Sequence, residues 1–237
     1  MLSKPDVAKS SEVPCLTIDG PAGVGKGTVS QALALRMGWN YLNSGALYRV
    51  LGVQARQLSI DLQDEPALVA LAAGLQVRFS VADGKAQVLL AGKDISDELV
   101  TEASGAAASK LAPIPAVRAA LLERQRDFLQ APGLVAEGRD MGSVVFPHAE
   151  LKIFLDATAE ERARRRCKQL KDNGLSVSLR AVLSEIEDRD KRDRERSVSP
   201  LVPAEDATTI DTTVLTVDQV MDRILSMCSE RQLFAAN

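Results

Sequence analysis

The stretch TIDGPAGVGKGTVS, residues 17–30, decides how the rest of the chain is read. Up to its first glycine, CLTID (15–19) is a short apolar run of the kind that forms a buried strand. Behind it, Val29, Leu33 and Met37 recur at helical spacing between Lys26 and Met37. Strand, glycine-rich turn and helix follow in the order of a phosphate-binding loop of the G-x-x-x-x-G-K type, from Gly20 to Lys26. Such a loop turns successive backbone N–H groups onto phosphate oxygens, and glycines permit the dihedrals and the close approach. The following helix adds the positive end of its dipole, and Lys26 adds a point charge. The competing reading is an ordinary glycine-rich strand-to-helix turn. One position departs from the common form. Many such loops carry a hydroxyl directly after the lysine to hold Mg2+, but here that residue is Gly27 and the hydroxyl comes one place later, at Thr28. Gly27 argues against a signalling GTPase and leaves open a kinase whose Mg2+ is held mainly by nucleotide phosphates and water.

Outward from this loop, GLVAEG (133–138), LKIFLD (151–156) and ATTID (207–211) read as further short strands. Helical patterns cover 159–171, 178–196 and 216–230. Strands alternating with helices predict an α/β fold, a central parallel sheet flanked by helices on both faces. One region breaks the alternation. LQVRFSVADGKAQVLLAGKDI (75–95) alternates apolar and polar residues around Asp83-Gly84, which predicts a hairpin and so an antiparallel insert on the parallel core. Residues 1–13 are polar and aperiodic and read as a flexible tail.

With 46% hydrophobic and 26% charged residues, the 237-residue chain can build a substantial core. Only 3% is aromatic, which rests that core on Leu, Val, Ile and Ala and counts against base-stacking platforms for single-stranded nucleic acid. A net charge of −3 gives no global field to attract nucleic acid, so any anion site must come from local basic clusters. Cys15, Cys167 and Cys228 are widely spaced and form no C-x-x-C pair, which indicates neither a disulfide framework nor a zinc site. No apolar run approaches the roughly 18 residues of a membrane span, and the N-terminus lacks the apolar stretch of a signal peptide. The expectation is a cytoplasmic chain with neither membrane nor nucleic acid as partner.

DGPAGVGKGTVSQALALRMGWNYLNSGALYRVLG, with its G-K-G-T ending to the loop, resembles the nucleoside monophosphate kinases. NSGALYR (43–49), EGRDMGSVVFP (137–147) and RDKRDRERSVSPLVPA (189–204) are similar to the bacterial cytidylate kinases in particular. The resemblance runs from about Cys15 to the C-terminal helix. It implies a P-loop kinase that moves a phosphoryl group from ATP, with Mg2+, to CMP or dCMP. It further implies a single domain over 14–237, working as a monomer. The core would be 14–62, 132–156 and 197–234, the acceptor-side insert about 63–131, and a short helical lid about 157–196. Gly27 is the form this family uses, and Thr28 still serves a nucleotide phosphate. Gly20, Pro21, Ala22, Gly23, Val24, Gly25, Lys26, Gly27 and Thr28 would line the ATP phosphates, without direct metal ligands from the protein.

Transfer to a nucleotide requires a second anion site. NSGALYR offers Ser44 as a hydroxyl donor, Tyr48 as an apolar wall and Arg49 as a phosphate fork one helical turn on. By itself it reads equally as a helix start with a solvated arginine. GRDMGS (138–143) follows a strand and so sits at the carboxyl edge of the sheet, where ligands bind. There the resemblance implies that Arg139 grips the acceptor phosphate and Asp140 accepts from the cytosine amino group. A salt-bridged turn is the alternative. Glu137 stands where related kinases often carry Asp, and its role stays open. Ser109 and Arg118, flanking a proline-broken turn, reach the cytosine edge by resemblance only.

EDRDKRDRER (187–196) is a run of ten charged residues, five of each sign, and reads as a solvated helix laced with i, i+4 pairs. The apolar stripe before it, Leu179, Val182, Leu183 and Ile186, then stops, so something other than core packing must hold the second half. Residues 162–196 carry 12 basic and 7 acidic residues, a local excess that neutralises a migrating phosphoryl group. Helical spacing puts Arg189, Asp193 and Arg196 on one face. By resemblance Arg189 and Asp193 bind the acceptor ribose, Arg196 lies nearer its phosphate, Arg165 and Arg166 serve ATP, and Arg192 is a lid arginine. Lys26, Arg139, Arg189 and Arg192 are the catalytic set. His148, the single histidine, has no partner in sequence and reads as a surface residue. Two other readings stand beside the nucleotide kinase: a kinase for another small metabolite, and a non-catalytic nucleotide sensor.

Overall fold

The structure, a computed structural model, describes residues 13–82, 85–172, 174 and 176–233. In its first half come β1 (Cys15–Asp19), α1 (Lys26–Met37), β2 (Asn40–Asn43), α2 (Ser44–Gln57), α3 (Glu65–Ala73), β3 (Val77–Ala82), β4 (Lys85–Leu90) and β5 (Lys93–Asp94). Then follow α4 (Ser96–Leu99), α5 (Glu102–Leu111), α6 (Pro115–Arg126), β6 (Leu134–Gly138), a π-helical turn (Met141–Val145) and β7 (Leu151–Asp156). The chain continues with α7 (Ala159–Asp172), α8 (Leu179–Glu195), β8 (Thr208–Asp211) and α9 (Val217–Glu230).

β1 is buried along its whole length because it lies at the centre of a five-stranded sheet of order β2-β6-β1-β7-β8. Every pairing in that sheet is parallel. A central parallel strand has helices on both faces, which is why CLTID reads as an uninterrupted apolar run. Leu16 and Ile18 of β1, Leu33 of α1, Leu47 and Leu51 of α2, Leu121 of α6 and Ile224 of α9 belong to one contiguous core. Truncating any one of these fully buried side chains to Ala would cost about 2–5 kcal/mol. α9 shows the local logic well. Thr216 and Gln219 close a capping box at its start, and Val220, Ile224 and Cys228 bury one face at i, i+4 spacing.

The second sheet is antiparallel, order β3-β4-β5, with Val77 opposite Leu90 and Phe79 opposite Val88. The predicted hairpin is therefore present, although its Asp83-Gly84 turn lies outside the described residues. The same holds for all of the expected N-terminal tail but Val13. Phe79, Val88 and Leu90 join the same core as the parallel sheet. α7 and α8 do not: Ala163, Cys167, Leu170, Val182 and Ile186 form a small cluster of their own.

Three features were absent from the sequence expectations or displaced from them. β2 is a four-residue edge strand, too short for alternation to show. Ser109 and Arg118 flank the turn before Pro115 as expected, but Ser109 does so from within a helix, α5, that the sequence reading did not include. α8 ends at Glu195, and Arg196 has an extended backbone (φ −62°, ψ 138°), so it leaves the face it was expected to share with Arg189 and Asp193.

The strand order places the site. β1 lies between β6 and β7, and its register sets Asp19 opposite Gly138. The turns leaving β1 and β6 thus open side by side at the carboxyl edge of the sheet, where the crossovers to α1 and to the π-helical turn part.

Candidate active site

The turn between β1 and α1 has the features of an anion cradle. Gly20 adopts φ +146°, and a Cβ there would sit 2.1 Å from the Leu155 carbonyl oxygen, so no side chain fits. Gly25 caps α1 at φ 99° with no side chain bonded to the first turn, leaving the N–H groups at the helix start uncapped. Side chains hold the loop carbonyls, that of Lys26 from within the loop and the others from α7 and from the segment after β8. Lys26 Nζ donates to the Pro21 carbonyl (2.7 Å), Arg162 to that of Ala22 (3.1 Å), and Thr212 Oγ1 to that of Val24 (3.2 Å). Arg165 also reaches the Val24 carbonyl (3.4 Å) and the carbonyl of Thr212 (2.6 Å). Carbonyls tied outward favour amides turned inward, the polarity that phosphate oxygens require. Thr28 is exposed on the first turn of α1.

Beside this loop, the Gly138–Asp140 turn is pinned by Asp19. Its two carboxylate oxygens accept from Met141 N and Gly142 N, both at 2.8 Å. Burial still outweighs these bonds and raises the Asp19 pKa to about 6, with the Asp140 charge adding to the rise. Arg139 donates to Asp193 of α8 (2.9 Å). Asp140 pairs closely with Arg118 of α6, which also donates to Ser199 Oγ (2.8 Å) and Tyr48 Oη (3.3 Å). Ser44, first residue of α2, donates to Gln125 (2.7 Å). Arg49, one turn along, is held by the Leu99 carbonyl (2.7 Å) and Ser104 Oγ (3.0 Å).

Cations converge on this cleft and disfavour one another. Burial, then the Arg139 charge, pushes the Lys26 ammonium well below the usual lysine range, with Glu137 opposing. Burial and Arg139 likewise bring Arg189 down to about 10, and Asp193 opposes them. Burial lowers Arg49, with Arg166 and Arg139 adding to it. Burial also lowers Arg196, where Arg118 and Arg139 add to the effect and Asp140 works against it. Asp193 goes the other way: burial raises it, but Arg139, Arg189 and Arg196 together hold it below the ordinary carboxylate range. Nε of Arg189 and Nη2 of Arg196 are buried donors with no partner among the described residues. Buried guanidinium groups in mutual repulsion, two with unspent donors, make a site for a multiply charged anion.

Most of the residues read from the sequence meet here, and a few do not. Arg165 faces the phosphate loop, but Arg166 lies a residue on, about 100° around the helix, and its charge bears on Arg49 instead. Arg192 is exposed and donates to the Asp188 carbonyl of its own helix (3.2 Å). Ser109 is half-buried and makes no polar contact among those described. His148 is exposed in a loop.

The sequence reading missed the element that holds the charged run. Arg162 of α7 and Asp190 of α8 form a buried bidentate pair (3.0 and 2.5 Å). Asp190 continues the buried stripe of Val182 and Ile186 at i+4, with charge in place of an apolar group. That periodicity was the available signal. It also missed Asp19 and the surroundings of Glu137, which accepts from Tyr41 Oη and from Asn43 Nδ2 (2.9 Å).

A family model described as cytidylate kinase matches residues 16–230. The cytidylate kinase of Aeromonas hydrophila is 55% identical over 220 residues, covering 93% of this chain and 95% of its own. That of Serratia proteamaculans is 52% identical over 221 residues, 93% of this chain and 96% of its own. That of Stutzerimonas stutzeri is 55% identical over 223 residues, with 93% and 97% covered. The match takes in the glycine loop, the Arg139–Asp140 turn and the charged helix α8 alike, so this chain belongs to the cytidylate kinase family.

Proposed function

We propose that the chain transfers the γ-phosphoryl group of ATP to CMP or dCMP, giving ADP and CDP or dCDP. The observation that carries this reading is the juxtaposition of the glycine loop and Lys26 with Arg139 and Asp140 at one sheet edge, where register places Asp19 beside Gly138. In the reaction an oxygen of the acceptor phosphate bonds to the γ-phosphorus while the β,γ-bridging bond breaks and ADP leaves. The attacking oxygen already carries charge, so the protein needs alignment and charge neutralisation rather than a base. Lys26 and the loop amides would hold the donor phosphates, with Arg165 at the loop's outer side. Arg49, Arg139 and Arg196 would hold the acceptor phosphate, with Arg166 close to Arg49. Arg189 and Asp193 would meet the ribose, and Arg189, by its buried free donor, is the arginine we expect to stabilise the transition state most. Removing such an arginine costs about 10³-fold in rate, about 4 kcal/mol.

Base choice follows from hydrogen-bond polarity. Cytosine offers an amino donor next to two acceptors, and Asp140 beside Arg118 offers the complement. Uracil places a carbonyl where the carboxylate needs a donor. Mg2+ would come with ATP and would supply positive charge to offset that of the phosphates. Glu137 fits this role: it is a buried carboxylate next to Lys26, and its Oε2 has no hydrogen-bond partner among the described residues. Glu137 through water, and Thr28 beside the phosphates, are the side chains that would meet the ion.

We further propose the division into a core (14–62, 132–156, 197–234), an acceptor-side insert (63–131) and a lid (157–196), all in one working chain. The separate α7–α8 cluster supports a lid that moves as a body. A cytoplasmic setting fits three free, buried thiols. The test is an ADP-release assay with CMP, dCMP, UMP, AMP and shikimate as acceptors. Turnover with CMP and dCMP far above the rest is expected. Faster turnover with UMP would remove the cytosine assignment, and ATP binding without turnover would favour a sensor.

A further inference from the structure

Glu137 is the next-to-last residue of β6, at the lip of the cleft, and two hydrogen bonds fall on the same oxygen of its carboxylate. Tyr41 Oη donates to Oε1, and Asn43 Nδ2 donates to Oε1 at 2.9 Å. Both donors stand on one face of β2, two residues apart, and register sets Asn43 directly opposite Glu137. Gln31 Nε2 donates in turn to Tyr41 Oη at 3.4 Å, which leaves the phenol its own proton to give. Oε2 receives no hydrogen bond among the described residues.

The clamped oxygen also explains Gly27. A Cβ at position 27 would lie 3.3 Å from Glu137 Oε1 and 3.9 Å from Oε2. The carboxylate thus stands against the very place where a phosphate loop of the common form carries its metal-binding hydroxyl, and the clamp keeps it from yielding. Asn43 has a second duty that bears on its chemistry. Its Oδ1 caps α2 by accepting from Ala46 N (2.8 Å), while its Nδ2 serves Glu137. An amide does both, whereas a carboxylate would keep the cap but repel Glu137.

We propose that Tyr41 and Asn43 are positioning residues for the reaction: through Oε1 they hold Glu137 against Gly27, so that Oε2 faces the magnesium ion and water carried in by ATP. The proposal rests on the Mg2+–ATP reading above. Partners that orient a metal's ligands change metal affinity or rate by about 10- to 100-fold when removed.

The test compares Tyr41→Phe, Asn43→Asp and Glu137→Gln by two readouts. One is Mn2+ binding to the enzyme–ADP complex, followed by electron paramagnetic resonance. The other is the dependence of kcat on free Mg2+ at saturating ATP and CMP. Tyr41→Phe keeps the ring that meets Phe79 edge-on (centroids 6.2 Å apart), and Asn43→Asp keeps the helix cap, so both variants preserve packing. Each is expected to weaken Mn2+ binding and raise the half-saturating Mg2+ about 10-fold. KM for CMP should hold within about twofold. Tyr41→Phe added to Glu137→Gln should cause no further loss, because the group it positions is already disabled. Unchanged cation dependence in both single variants, or losses that multiply in the double variant, would overturn the proposal. If the parent chain fails to turn over CMP, the reading beneath is lost, yet Mn2+ binding to the ADP complex still decides whether the clamp works.

Discussion

At the scale of single residues, the site is governed by where buried charge finds a counter-charge. Asp140 and Arg118 are both largely buried and satisfy each other without a ligand, so on the proposed reading cytosine would fit between donors and an acceptor already set at close quarters. Asp140→Ala should therefore lower kcat/KM for CMP about 10²-fold or more while KM for ATP holds, and the CMP/UMP ratio should collapse toward one. Steady-state kinetics with both acceptors checks this, and parallel losses for both nucleotides would count against base reading. Asp19 makes a prediction about pH. Its folded-state pKa of about 6 lies above the ordinary aspartate value of 3.8, because burial disfavours the charge. Between those values the folded state binds the proton that the unfolded state has released. Asp19's share of stability is thus full below about pH 4 and declines as pH rises through about 6. A rise of about two units corresponds to about 3 kcal/mol. Denaturant titrations from pH 4 to 7 should show this falling component in the parent and not in Asp19→Asn.

Elements add what no single residue has. α7 and α8 share a small apolar cluster with each other and meet the rest of the molecule through polar ties: Arg162 to the Ala22 carbonyl, Arg165 to the strand-end carbonyl of Thr212, and Arg139 to Asp193. The Arg162–Asp190 pair is the fastening within this unit and toward the phosphate loop at once. Breaking a buried pair by removing one partner leaves an uncompensated charge, a loss of about 3–5 kcal/mol. Asp190→Ala should spend this locally. Hydrogen exchange should rise across 157–196 while β1, β6 and β7 keep their protection, and kcat should fall with the alignment of the proposed lid. Loss of protection through the whole sheet would show that the pair supports the global fold instead. The antiparallel insert differs, since Phe79, Val88 and Leu90 sit in the main core. Closure on ligands should accordingly change protection in 157–196 much more than in β3 and β4.

Over the whole molecule, the repulsion among Lys26, Arg49, Arg139, Arg189 and Arg196 is a standing cost of folding, and on the proposed reading the triphosphate of ATP and the phosphate of CMP relieve it. A bisubstrate analogue joining adenosine and cytidine through a polyphosphate should raise the melting temperature more than ATP or CMP alone. At 100 times its Kd the gain is about 2.7 kcal/mol, roughly 5–10 °C for a chain of this size. Thermal scans at fixed ionic strength measure it, and equal shifts for the analogue and for ATP would mean the two nucleotide sites do not adjoin. Local pattern alone settled much of this protein. A glycine loop between CLTID and a helix, strands alternating with helices, and the hairpin of 75–95 are written in neighbouring residues, because backbone freedom and hydrophobic period are short-range properties. Family motifs added the arginines of the cleft. What the sequence could not show was which charges face each other. Arg162 finds Asp190 across 28 residues, Tyr41 finds Glu137 across 96, and Arg166 parts from Arg165 by a rotation about one helix axis. Those pairings depend on strand order and helix facing, which only the packed molecule decides, because a buried charge is bound to whichever opposite group the fold brings within reach.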